Sequence, residues 1–400
     1  MKLLFVIDRG HAVDDPNINL IHQLTPELEK SGCAVSFLGH TEKRAEAEAN
    51  CFYFGADEAV RRLYFSLGKK SKLKRLAALL CHPWLSFLGF FKAFHIDWIA
   101  GAYRRKLERT VAEIQPDAVI AVTAPFYTAK AVAAAQLPCR KLLCMFDPYG
   151  AHYLMGGAIA DHQERRCIRK MDATFVPELL AQNYKQKNVQ PLAFPGVVQV
   201  RCTAEQRELY QKQKINLAFV GSLYADIRNP EAMFRLLQGL DDERMHLTVV
   251  GGLYGTYTPA FHEEFDAYLK QHVTFVPKVE KAVALCYMMQ ADVLVNIGNK
   301  IPNQLPSKIF EYFSTGRPIL NLKQLSVCPS EFYMERYPLS CTLDATKTLC
   351  EDAIRTARMF IEKNSGRKLP FDAVKMLYPE NTPEAVAAKI VAAVKSPREN

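Results

Sequence analysis

N-Q-L-P-S-K-I-F-E-Y-F-S-T-G-R-P-I-L, residues 303–320, reads as a short helix running into a strand. Pro306 suits the opening of a helix, where its missing N–H costs nothing, and Gly316 suits the end, where glycine reaches the left-handed backbone without strain. The apolar run Ile319 to Leu322 then reads as a buried strand, and Val293 to Ile297 as the strand before it. Strand, helix, strand is the repeating unit of a parallel sheet.

Working outward, the same alternation covers both halves of the chain. Leu3 to Ile7, Val35 to Leu38, Ala118 to Val122, Leu142 to Phe146 and Thr174 to Val176 form one set of strands. Leu217 to Val220, Leu247 to Val250, Val273 to Val276, Val293 to Ile297 and Ile319 to Leu322 form a second. Buried parallel strands read as continuous apolar runs, as these do. The expectation is an α/β protein with two Rossmann-like parallel sheets. The boundary falls in 195–214, where F-P-G turns and T-A-E-Q-R-E-L-Y-Q-K-Q-K is polar. We divide the chain into 1–205, 206–375 and a final helix in 376–400. In that helix Thr382 caps, Pro383 opens, and Val386, Ile390 and Val394 make an apolar face that must dock.

The chain has 400 residues, enough for roughly two or three domains. Hydrophobic residues make up 49% and charged ones 23%, which excludes wholesale disorder. Its eleven cysteines contain no Cys-x-x-Cys pair and no His partner at zinc spacing, so we expect free thiols in a reducing cytoplasm. The first apolar run is too short for a signal peptide. The longest one, Leu76 to Phe91, contains His82 and Pro83 and falls short of the ~20 residues a membrane span needs. There is no P-loop, no G-x-S-x-G elbow, no H-E-x-x-H and no EF-hand pattern.

Chemistry concentrates in a few places. The first turn of the helix after Pro306 offers the backbone N–H groups of Ser307 and Lys308, the positive dipole end and the Lys308 ammonium, all of which favour a phosphate. Glu311 lies on the same face, ~6 Å further along the axis. That separation suits a nucleotide's diphosphate and its ribose diol, which a carboxylate can accept from. The spacing equally suits an amphipathic helix with Lys308 and Glu311 as a solvated pair, so spacing alone leaves both open.

This segment, F-V-G-S-L-Y-A-D-I-R-N-P at 219–230, and the run Val273 to Asn296 together resemble the C-terminal domain of family-4-type glycosyltransferases with the GT-B fold. The resemblance implies two Rossmann-like domains facing a central cleft, with a nucleotide-diphosphate sugar between them and a last helix crossing back to the N-terminal domain. It places the second Glu of the family's E-x7-E motif on Glu311, on the ribose, and the first on Asn303, a departure that removes the charge. Ser222 stands where the family commonly has a diphosphate-clamping Arg, and Arg228 sits one place beyond the usual Lys. Arg228 still presents a fork to phosphate, while as a residue preceding a helix it also reads as a plain surface arginine. The implied nucleotide-sugar site comprises Gly221, Ser222, Arg228, Lys278, Asn303, Leu305, Ser307, Lys308 and Glu311. For Lys278 a solvated lysine is an equal reading, and G-G-x-x-G at 251–255 reads as a turn needing glycine's freedom.

In the first half, R-G-H-A-V-D-D-P-N offers Arg9, His11, Asp14 and Asp15, and F-D-P-Y-G-A-H offers Asp147 and His152. Phe146 replaces the His of the family's common H-D pair. One of His11, Asp147 and His152 is expected to orient or deprotonate an acceptor hydroxyl. No metal site and no cofactor beyond the nucleotide-sugar co-substrate is implied.

The formal net charge of +9 is not evenly spread. Residues 61–110 hold twelve Lys and Arg against Asp97 and Glu108, a net +10, interleaved with Trp84, Phe87, Phe90, Phe91, Phe94, Trp98 and Tyr103. Cations attract anionic lipid and aromatic rings settle at its interface. We read a helical insertion making a peripheral contact with an anionic membrane and presenting a lipid-linked acceptor. The competing readings are a helical insertion with core aromatics and solvated charges, and, less well matched, a nucleic-acid groove. The expected activity is transfer of a sugar, from UDP or a similar carrier, to a glycan or lipid-linked hydroxyl at the cytoplasmic membrane face, in surface polysaccharide synthesis, with the retention of configuration that the resemblance implies. Two alternatives stand beside it: a nucleotide-sugar epimerase of the same fold, and a non-catalytic GT-B partner subunit.

Overall fold

The computed structural model describes residues 1–9, 16–40, 51–54, 92–123, 126–150, 157–202, 208–302 and 304–397. His11, Asp14, Asp15, His152, Asn303 and the basic block up to residue 91 lie outside the described residues.

The chain divides into two compact units, Met1–Pro195 with Pro383–Asn400, and Gly196–Thr382. The divisions at 195 and 382 stand beside those read from sequence at 205 and 375. The strands of the first unit are β1 (Lys2–Arg9), β2 (Ala34–His40), β3 (Cys51–Phe54), β4 (Ala118–Thr123), β5 (Arg140–Met145), β6 (Ala173–Pro177) and β7 (Val189–Leu192). They form one sheet in the order β3-β2-β1-β4-β5-β6-β7, every pair parallel.

The second unit contains β8 (Ile215–Val220), β9 (Leu223–Tyr224), β10 (Met245–Val250), β11 (Leu253–Tyr254), β12 (Val273–Val276), β13 (Val293–Ile297), β14 (Ile319–Lys323) and β15 (Ser340–Asp344). Its main sheet runs β12-β10-β8-β13-β14-β15, also parallel, and β9 and β11 form a two-stranded ribbon. Counted within each unit, both orders contain 3-2-1-4-5-6, the doubly wound arrangement.

All ten strands read from the sequence are present, and five more appear among the described residues. β3, C-F-Y-F, is apolar but only four residues long, β7 contains Pro191 and lies at a sheet edge, where a missing N–H is tolerated, and β15 is a half-exposed edge strand. Two residues each of β9 and β11 are too few to leave a pattern.

The helix Lys92–Ile114 is the crossover between β3 and β4. Ala100, Tyr103, Leu107 and Val111 join the core of the first unit, while Arg104, Arg105 and Arg109 are exposed. Tyr103 is therefore a core residue, 1% exposed, with its hydroxyl donating to the Ile7 carbonyl at 3.0 Å. The end of the basic block is thus an integral helix with a solvated charged face. The final helix, Pro383–Lys395, belongs to the first unit, buries Val386, Ile390 and Val394, and packs on the helix Pro16–Lys30.

The cysteines depart from the expectation of free thiols throughout. Cys202 and Cys286 form a disulfide, with their Cα atoms 5.5 Å apart. Cys33, Cys139, Cys144, Cys167 and Cys328 are buried and outside any disulfide, and Cys350 is exposed. Burial pushes the Cys144 thiol up to about 12, so it packs as a small hydrophobe. No helix among the described residues is long and apolar enough to cross a membrane.

Candidate active site

In an open α/β sheet, ligands bind beyond the carboxyl ends of the strands at the point where the strand order reverses. In the second unit that point lies between β8 and β13. The loops leaving these two strands, 221–230 and 298–307, carry most of the residues singled out from sequence.

The first loop turns at Gly221 and forms a tight hairpin in which Tyr224 and Arg228 exchange backbone hydrogen bonds. This directs the Arg228 side chain back over the turn. Its Nη1 donates to the Ser222 carbonyl at 3.3 Å, and Nε and Nη2 both donate to Asn299 Oδ1, at 3.0 and 2.7 Å. Asn299, 5% exposed, comes from the loop after β13, so this contact joins the two loops at the switch point. A backbone bond from Lys300 N–H to the Ile227 carbonyl, 2.7 Å, reinforces it. Gln324, following β14, holds the same loop by bonding both the N–H and the carbonyl of Asn229.

Burial lowers the Arg228 guanidinium from its ordinary value, and no carboxylate among the described residues pairs with it. A guanidinium has five N–H donors. Three are used here, on neutral oxygens, which leaves two donors and the full charge for an anion.

The close approach of the neighbouring turns requires glycine. Gly251 has φ +137°, and a Cβ there would lie 2.0 Å from the Gly221 carbonyl oxygen. The turn reading of this glycine run therefore accounts for Gly251, which forms the floor beneath Gly221.

The helix of the opening segment spans Lys308–Thr315, with Ser307 as its N-cap and Gly316 closing it in the left-handed conformation. Pro306 lies two residues ahead of the first helical residue rather than inside it. The Ser307 side chain does not cap the helix. Tyr312 anchors the helix: its hydroxyl accepts from the Val220 N–H at 2.8 Å, beside the residue that begins the Arg228 turn. Burial raises the Tyr312 phenol, and its hydroxyl lies in the fields of both Arg228 and Glu311. Phe310 and Phe313 complete the buried side of the helix.

Glu311 faces the other way. Its side chain is 17% exposed, with Lys308 Nζ 3.6 Å from one oxygen and Lys281 Nζ 3.5 Å from the other. Lys308 and Glu311 do form the i, i+3 pair that the spacing allowed, with a second lysine beside it. Leu305 is half-buried ahead of the helix, and Lys278 is exposed in the loop after β12. Gly221, Ser222, Arg228, Ser307, Lys308 and Glu311 thus follow the carboxyl ends of the neighbouring strands β8 and β13. Asn299, Gln324, Tyr312 and Lys281 escaped the sequence reading. Only Lys281, as a cation opening a helix after a strand, left a signal there.

In the first unit Asp147 follows β5 and is half-buried, with its backbone carbonyl accepting from Thr123 Oγ1 at 3.4 Å. Phe146 is buried against Phe194, and Tyr149 stacks on Phe126 at 4.4 Å. Glu164, 1% exposed, supports this loop from the helix Ala158–Ile168: it accepts from Gly150 N–H at 3.0 Å and from the Tyr184 hydroxyl at 2.9 Å. Burial pushes its carboxyl up.

No protein-family model matches the sequence, and no curated protein matches it by sequence. Solved structures do match over nearly the whole chain. Anabaena HepE in complex with UDP has a TM-score of 0.64 at 12% identity, covering 99% of this chain and 100% of that one. The lipopolysaccharide outer core galactosyltransferase WaaB in its apo form has a TM-score of 0.56 at 14% identity, covering 98% and 99%. A UDP-N-acetylglucosamine 2-epimerase-like protein from Listeria monocytogenes has a TM-score of 0.56 at 12% identity, covering 99% and 96%. The chain has the GT-B fold: two Rossmann-like α/β units, with the C-terminal helix returning to the first.

Proposed function

We propose that this chain is a glycosyltransferase that takes its sugar from a nucleotide-diphosphate donor, UDP being the first candidate carrier. The observation that carries this is the pairing at the switch point of the second sheet: a desolvated Arg228 with two unused donors, and, across Tyr312, the Glu311 carboxylate. In this reading Arg228, Lys308 and the first turn of the Lys308–Thr315 helix receive the diphosphate, and Glu311 accepts from the ribose diol. The same cations stabilise the charge that develops as the diphosphate leaves, an electrostatic contribution to the rate. HepE, of the same fold, is described as a complex with UDP, which supports the choice of carrier.

The finer parts of the proposal rest on the sequence. Retention of configuration, a hexosyl donor, a glycan or lipid-linked acceptor, a role in surface polysaccharide synthesis and a place at the cytoplasmic membrane face follow from the resemblance and the basic aromatic block. The membrane contact is assigned to the basic aromatic block near 61–110, less Tyr103, which is buried in the core. Asp147 is the acceptor-side group that the described residues offer; His11 and His152 remain candidates on sequence.

The test is titration of UDP, GDP, dTDP and CMP into the wild type and Glu311→Ala, followed by nucleotide release from a panel of donor sugars with and without lipid acceptors. Binding that Glu311→Ala weakens, with acceptor-dependent release, supports the transferase. Equal binding to both proteins refutes the site. The Listeria epimerase-like neighbour makes a second outcome readable: interconversion of UDP-N-acetylglucosamine without acceptor would assign an epimerase instead. Neutralising the cations at 69–75 should abolish binding to anionic vesicles; unchanged binding rejects the membrane contact.

A further inference from the structure

Glu311 is flanked by two lysines, and they differ in origin. Lys308 is its neighbour on the same helix and would stand near it in any helix. Lys281 comes from a different element, the first residue of the helix Lys281–Gln290 after β12, so tertiary packing alone brings it to the carboxylate. At 3.5 Å its contact with Glu311 is an ion pair longer than a hydrogen bond, and its side chain is 42% exposed. Such a pair adds little to stability and leaves a long, flexible ammonium free to move.

Resting on the nucleotide reading above, we propose that Lys281 is a further anion-binding residue of this site, one that passes from Glu311 to the α-phosphate of a nucleoside diphosphate. Paired with Glu311, its ammonium and that of Lys308 neutralise the carboxylate. A ribose diol offers Glu311 two O–H donors at hydrogen-bond distance, which replace the two loose ion pairs. The displaced ammonium then meets the phosphate on the 5′ side of the same ribose. Each lysine exchanges a shared carboxylate for a phosphate oxygen, so these two ammonium groups become available when the diol is present. Arg228 and Lys281 thus serve different phosphates, Arg228 the terminal one beside the Ser222 turn and Lys281 the one next to the sugar.

Calorimetry with UDP, UMP and uridine on the wild type, Lys281→Gln, Lys281→Arg and Glu311→Ala tests the assignment. Lys281→Gln is expected to weaken UDP and UMP by about tenfold each, the size of one charge-assisted hydrogen bond, and not to weaken uridine. Lys281→Arg should recover most of the loss, and the affinity of Lys281→Gln should depend less on salt. Equal weakening of uridine and UMP, or no weakening of UDP, overturns the proposal. If UDP binds and Glu311→Ala abolishes it while Lys281→Gln is silent, only the Lys281 assignment falls. If UDP binds neither protein, the nucleotide reading falls and the proposal with it.

Discussion

Glu164 in the first unit and Arg228 in the second are both charges withdrawn from water beside a loop that leaves a strand's carboxyl end, and both are held by neutral groups. Burial shifts each toward its neutral form, raising the carboxyl and lowering the guanidinium. They differ in what remains unused. Glu164 is 1% exposed and has each oxygen occupied, by Gly150 N–H and the Tyr184 hydroxyl, so it is a closed strut under the 146–150 loop. Arg228 is half-buried and keeps two donors. Glu164 spends its hydrogen bonds on shaping a loop, whereas Arg228 keeps donors that the proposed nucleotide site would use.

The largest effect that separates the two is loss of Arg228. Arg228→Ala should weaken nucleoside diphosphate binding by about 2–3 kcal/mol, roughly 100-fold in Kd, and lower thermal stability as well, because it strands the buried Asn299 Oδ1. Arg228→Lys should recover only part of it, since an ammonium cannot fork across Asn299 and a phosphate together. Calorimetry decides this, and unaltered binding would make Arg228 a strut like Glu164.

Gly251→Ala should cost about 2 kcal/mol in a urea titration, because the new methyl meets the Gly221 carbonyl and the backbone holds φ +137°. A neutral result would mean that the floor of the Arg228 turn yields easily. Tyr312→Phe should cost about 1–2 kcal/mol, because it strands the buried Val220 N–H, and should weaken nucleotide binding by a smaller factor through the loosened helix.

The smallest effect concerns Glu164 and pH. Its folded carboxyl is raised, so the stability it allows at low pH is lost as pH rises from its unfolded value of about 4.5 through the folded one. Glu164→Gln keeps an acceptor and removes the charge, and the Tyr184 hydroxyl can turn to suit it. Its melting temperature relative to wild type should rise between pH 4 and pH 7. A difference independent of pH would show that the carboxylate titrates as in water.

Much of this contrast was invisible in the sequence. Arg228 was readable as a fork after a strand, because the residue type and its place beyond Val220 were in view. That it leans on Asn299 was not, since the two are 71 positions apart and meet only because β8 and β13 are neighbours. Glu164 reads as one charge in the polar run H-Q-E-R-R, and only the burial of one face of its helix shows it to be inside. The tyrosine of Tyr103 read as part of a lipid-facing aromatic cluster because residue type was the only guide. The packing of its helix against β1 and β4 put the ring in the core.

By itself the sequence determined what depends on local pattern: parallel strands as unbroken apolar runs, the helix ended by Gly316, the final amphipathic helix, and the placing of Glu311 one turn beyond Ser307. Those follow from backbone geometry and from the period of each element, which neighbouring residues share. Tertiary structure alone decided strand order, and with it the switch point between β8 and β13, the Arg228–Asn299 bridge, the Tyr312 anchor and the arrival of Lys281 at Glu311. These join residues far apart in the chain, and their contacts exist only once burial of the sheet's apolar faces has set which strands lie side by side.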